Sequence, residues 1–203
     1  MGLLTGELPD TVSVAGAEHP IRTDFRISIE FELLVQNHNI QEKDKILRAL
    51  SLYYPRIPGD IKGACEKLIW FYRCGKEESG QDETDLSDSR RIYDFDYDAD
   101  YIYAAFLEQY GIDLTGIEHL HWWKFRAMFW GLDDNCEFVK IMGYRGMKIP
   151  SKMPKEQKAF YRKMKQIYAL PLPKDEQQKN DAITAALMNG GDVSGLLLGG
   201  GQD

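Results

Sequence analysis

At Thr23 the hydrophobic pattern of this chain changes period. Before that residue, Val12 and Val14 alternate with Thr11, Ser13 and Ala15, the two-residue repeat of a half-buried strand. Gly16 can supply the positive φ of a tight turn, and Pro20, which has no amide proton to donate, makes the following extended stretch an edge or its end. After Thr23 the apolar residues recur every three to four positions, and helix follows helix. The expected fold is therefore mainly α, a multi-helix single domain of about seven helices with a short N-terminal β-hairpin packed on it.

Punctuation divides the helical part. Phe25, Ile29 and Leu33 form the stripe of a first helix. Asn39 with Glu42 has the spacing of a capping box and opens a second, which stops at Pro55. Asp60 can cap a third, ended by Gly75. Further helices fit residues 99–110, 116–130, 134–142 and 154–169. Thr115 with Glu118, and Asp134 with Glu137, repeat the capping-box spacing, while Gly111, Gly131 and Gly143 follow helix ends. Residues 75–90 hold a single apolar side chain, Leu86, and cannot recover their ordering entropy by burial. The predicted organisation is a hairpin over 1–22, a helical domain over 23–171 with a mobile acidic loop at 75–90, and a polar helix and Gly-rich tail over 172–203.

Charge narrows the function classes. The net charge is −7, which opposes approach to phosphates and disfavours nucleic acid or an anionic membrane as partner. No apolar run nears the ~18 residues of a membrane-spanning helix. The start, MGLLTGELPD, lacks the basic and apolar regions of a secretory signal, and three cysteines without CxxC spacing fit a reducing compartment. The expectation is a soluble intracellular protein.

The search for chemistry returns little. Asp94, Asp96, Asp98 and Asp100 are spaced like the opening of a calcium loop, but counting from Asp94 puts alanines where that loop needs its Gly and its bidentate Glu. The simpler reading is that Asp96 or Asp98 caps a helix. His119 and His121, two apart on a helix, point about 200° away from each other and cannot share a metal. No phosphate-binding loop or nucleophile elbow occurs, and Cys65, Cys74 and Cys136 have no nucleophile context. No catalytic residue, metal or cofactor is assigned.

Two segments suggest binding instead. WWKFRAMFW, Trp122 to Trp130, has five large aromatics in nine residues, enough for a central core helix or for a helix that buries one face against a partner. From Arg145 to Lys165 eight basic residues stand against Glu156, a net of +7, so the rest of the chain carries −14; residues 77–100 alone carry −8. That segment is either a solvated face or a docking surface for an acidic partner or another copy. The candidate partner-binding residues are Trp123, Trp130, Phe160 and Tyr168 for apolar contact, with Lys155, Lys158 and Arg162 to steer.

The strings LIWFYRCGKE (68–77), RIYDFDYDADYIYAAFLEQYGIDL (91–114), LHWWKFRAMFWGL (120–132), EFVKIMGYR (137–145) and FYRKMKQIYALP (160–171) resemble a siphophage family named after gene product fifteen of phages infecting Gram-positive bacteria. The resemblance spans roughly residues 8–171. It implies a tail-module protein encoded just ahead of the tape-measure gene. Its expected role is a non-enzymatic tail assembly chaperone that holds the tape-measure protein in the host cytoplasm and is absent from the mature virion, with other tail proteins or further copies of itself as additional partners. The rivals are a structural virion component, such as a tail-completion or connector subunit, and a small enzyme whose dispersed site would join Asp94–Asp100 to His119 or His121.

Overall fold

In the computed structural model, residues 3–76 and 91–171 are described. Strands β1 (Thr11–Val14) and β2 (Ala17–Pro20) pair antiparallel, Val14 opposite Ala17 and Thr11 opposite Pro20. The turn between them puts both Ala15 and Gly16 at positive φ, the handedness that matches strand twist in a two-residue hairpin. Val12 and Val14 turn their side chains into the core, and β1 packs on the third helix. Seven helices follow among the described residues: α1 (Phe25–Gln36), α2 (Glu42–Tyr53), α3 (Ile61–Tyr72), α4 (Ala99–Tyr110), α5 (Trp122–Trp130), α6 (Glu137–Gly146) and α7 (Lys155–Ile167). This is the mainly α domain with an N-terminal hairpin that the periodicity predicts. Of the predicted acidic loop, residues 77–90 lie outside the described residues, as does the predicted C-terminal helix and tail.

The core is an aromatic stack centred on Phe125 of α5. Its ring lies face to face with Phe25 of α1 at 4.7 Å and with Phe106 of α4 at 4.9 Å, and also meets Phe95, Trp122 and Phe129. Three helices and the turn before α4 are thus joined through one side chain, fully buried. Rings at these separations contribute about 0.5–1.5 kcal/mol per pair beyond the area they bury.

Four helix boundaries differ from the sequence expectation, with a common cause in three. The helix predicted over 116–130 begins at Trp122, because Asp113 closes a turn instead: its Oδ1 accepts from the amides of Thr115 and Gly116 and from the Thr115 hydroxyl. Residues 120–122 then run extended beside α1's entrance, with Phe25 N–H donating to Leu120 O and Trp122 N–H to Thr23 O. The helix predicted over 134–142 is Glu137–Gly146, so Gly143 lies inside it; Asp133 accepts from Asn135 N–H, and Cys136 Sγ at the N-cap, not Asp134, accepts from Val139 N–H. Asn39 does not cap α2 either: its amide donates to Asn37 Oδ1, and Gln41 precedes the helix. Finally, the predicted 154–169 helix runs from Lys155 to Ile167. The predicted Asp60 cap and the Gly75 and Gly111 stops are present, both glycines at positive φ.

Candidate functional site

The aromatic helix α5 is placed by its polar atoms as much as by its rings. The last carbonyls of α3 have no partner within their own helix. Trp122 Nε1–H donates to Tyr72 O and Trp123 Nε1–H to Phe71 O, each at 2.8 Å, and the Arg126 guanidinium adds a bond to Tyr72 O at 3.0 Å. His121 starts the helix: Nδ1 accepts from Trp123 N–H at 3.1 Å, so the proton is on Nε2, which faces Pro9 O at 3.2 Å. Burial lowers the His121 pKa and keeps this neutral tautomer. Trp123 is only 6% exposed and is removed from the predicted binding surface by this role as an end-cap of α3. Trp130 is different: it is 54% exposed, resting edge-on against Phe129 and Tyr93.

Beneath Trp130 lies a polar group that sequence reasoning missed. Glu32 of α1 accepts from the Tyr72 hydroxyl at 2.6 Å and lies near Tyr93, Arg126 and Arg91. Desolvation raises its pKa despite those partners. The space left there is about 20 Å³, room for little more than one water. Gln36, one turn on in α1, also donates to Glu32, but the local sequence does not mark the site because its other partners come from α3, α5 and the irregular segment before α4.

Among the described residues, the acidic and basic segments meet at Asp98. Asp98 is at the N-cap position of α4 yet makes no side-chain cap bond; its carboxylate forms a bidentate pair with Arg145 of α6, at 2.6 and 2.9 Å, and accepts from Asp94 N–H. The turn is held instead by Asp94, whose Oδ1 accepts from Asp96 and Tyr97 amides while Oδ2 pairs with Arg91. Arg145, counted with the basic segment, is 7% exposed and also donates to Ile92 O and Tyr168 O. It is a structural cation. Asp94 and Asp98 are therefore internal scaffolding, whereas His119 meets Thr23 Oγ1 and His121 meets Pro9 O.

What remains of the basic segment is α7, in which no residue is fully buried. Tyr161 and Tyr168 pack on Tyr144 of α6, and Tyr168 stacks on it at 5.9 Å. The Tyr168 hydroxyl donates to Glu137, and Lys165 Nζ donates to Arg145 O. Lys158 reaches back to Ser151 O at 2.6 Å and stiffens the helix entrance. Phe160 and Ile167, two turns apart, face outward at 48% and 54% exposure, with Lys155, Arg162 and Lys163 also exposed. The predicted binding residues thus fall into two groups, Trp130 on α5 and Lys155–Tyr168 on α7.

Other chemistry finds no assembled site. Among the described residues no group of three or more His, Cys, Asp or Glu could hold a metal, and no helix is long and apolar enough to cross a membrane. Burial pushes the Cys65 and Cys74 thiols up, away from the reactive thiolate. A family model described as bacteriophage Gp15 protein matches residues 4–170, while no curated protein and no solved structure matches.

Proposed function

Since the chain belongs to the bacteriophage Gp15 protein family, we propose that it is a tail assembly chaperone that binds the phage tape-measure protein in the host cytoplasm before the tail tube closes around it. The observation that carries this reading is α7. A helix with a continuous apolar stripe in a monomeric domain normally buries it, yet here Phe160 and Ile167 remain about half exposed, Phe160 meeting Tyr144 only edge-on, and are flanked by cations. A long helical partner presents the matching surface, an apolar stripe edged by acids, and helix-against-helix docking reads such a partner at i, i+4 and i+7 positions. Phe160, Met164 and Ile167 have that spacing. Trp130 supplies a second, separate apolar contact. Lys155, Lys158 and Arg162 raise the rate of encounter more than the final affinity.

Co-expression with the tape-measure protein tests the proposal. The expected result is a soluble complex, lost when Phe160 and Ile167 are both replaced by Ser. A tape-measure protein that stays insoluble and unbound beside the intact chain overturns it. Mass spectrometry of purified virions separates the structural alternative: stoichiometric copies in the particle would make the chain a tail component.

A further inference from the structure

A second apolar feature, a groove that reaches down to the core, lies beside α4. It is an open groove of about 370 Å³ between α1 and α4, floored by Phe25, Phe95, Ile102 and Phe125. Its edge is formed by Ile29 and Ala99 together with Asp100, Tyr103 and Thr115. One turn beyond Tyr103, Leu107 extends the apolar strip and is 45% exposed. The flanking charges are negative. Asp100 is on the wall, Asp113 bonds Thr115 and Tyr103, and Asp96 adjoins Phe95. The nearby cation, Arg26, is already engaged with Asp24 and with the carbonyls of Leu114 and Ile117.

An apolar floor with an acidic edge calls for a cationic helix with an apolar stripe, and this chain carries one. The geometry points to the groove of one molecule receiving α7 of a second copy, with Phe160 as the anchor in the groove and Lys163 and its neighbours against Asp100 and Asp113. The contact cannot form within one molecule. Tyr101, which lies near Tyr168 at the α7 end, projects about half a turn around α4 from the groove residues, and Arg145 fixes the end of α7 on the far side. Because donor and acceptor surfaces are different, the contact is heterologous: it propagates head to tail until a ring closes or an open array grows. It also occupies the stripe assigned to the tape-measure protein, so copy and partner exclude each other.

Sedimentation velocity of the full chain over a concentration series tests this without any partner. The expected result is a mass that rises with concentration and falls back as salt screens the charged edge. Ala99→Arg, which fills the groove wall at an exposed position, and Phe160→Ser, which removes the anchor, are each expected to be monomeric with unchanged near-ultraviolet circular dichroism. Mixed together they are expected to form a heterodimer that grows no further, since one intact groove and one intact α7 remain. Asp100→Lys gives an independent groove variant should Ala99→Arg perturb the fold. Three results overturn the inference: a monomer at every concentration, a mixture that fails to pair, or association lost in Phe160→Ser but retained in both groove variants, which would mean α7 pairs with α7.

Discussion

Helices α5 and α7 both look like binding elements, and the structure uses them in opposite ways. Helix α5 has the denser aromatic content, but four of its five large rings are buried and its indole N–H groups close the end of α3. Helix α7 has fewer rings and many charges, buries nothing fully, and leaves Phe160 and Ile167 about half exposed. Aromatic density therefore marks the place where the chain binds itself. The surface left for others is found where an apolar stripe exceeds the neighbour available to cover it.

The sharpest way to break the contrast is at the α5 end. Phe125→Ala should cost about 3–5 kcal/mol, since it empties the centre of a stack that α1, α4 and α5 share; urea unfolding would measure it, and a loss below the error of that measurement would contradict the core role. Asp98→Ala should cost a similar ~3–5 kcal/mol, because it leaves the Arg145 guanidinium buried and unpaired. Charge removal at the exposed cations Lys155, Arg162 and Lys163 of the same segment should by contrast leave stability nearly unchanged. Trp123→Phe is a finer cut: it keeps an aromatic ring and removes one of the two donors to Phe71 O, which retains Cys74 N–H, and should cost about 0.5–1.5 kcal/mol. At the other end, Phe160→Ala should change unfolding by no more than about 0.5 kcal/mol while reducing capture of the tape-measure protein.

The smallest expected effect is in pH. The folded state lowers the His121 pKa below its ordinary 6.5, so the unfolded chain binds the proton more readily. Its contribution is complete above 6.5 and is lost progressively as pH falls below that value. His121→Asn keeps an N-cap acceptor and should flatten this slope. Glu32 works in the reverse sense. Its raised pKa means that the folded state holds the proton longer, so its contribution declines as pH rises above 4.5 and through the folded value. Glu32→Gln should therefore unfold at higher urea than the parent near neutral pH, and less so in acid.

The sequence made the architecture legible where one signal acted alone. The shift of period at Thr23, the Asp60 cap and the Gly75 and Gly111 stops are all read from neighbouring residues, and all are present. The misplaced boundaries share a pattern. Asn37, Asp113 and Asp133 each stand just ahead of a residue expected to cap a helix, and each takes the local amides into a turn first. An Asx turn and a capping box compete for the same donors, and spacing alone does not rank them. The Asp98–Arg145 pair was illegible for another reason: the partners are 47 residues apart, and each had a plausible local role. Of the site, the exposed stripe of α7 was readable as an amphipathic pattern, whereas the burial of Trp123 depended on carbonyls that α3 contributes.

The guanidinium of Arg145 has a topographic consequence. By holding Ile92 O and Tyr168 O at once, it brings the chain at Ile92 alongside the chain at Tyr168. Arg91 and Leu170, each within two residues of those carbonyls, therefore lie at one corner. A donor dye at Arg91 and an acceptor at Pro171 would report that corner directly.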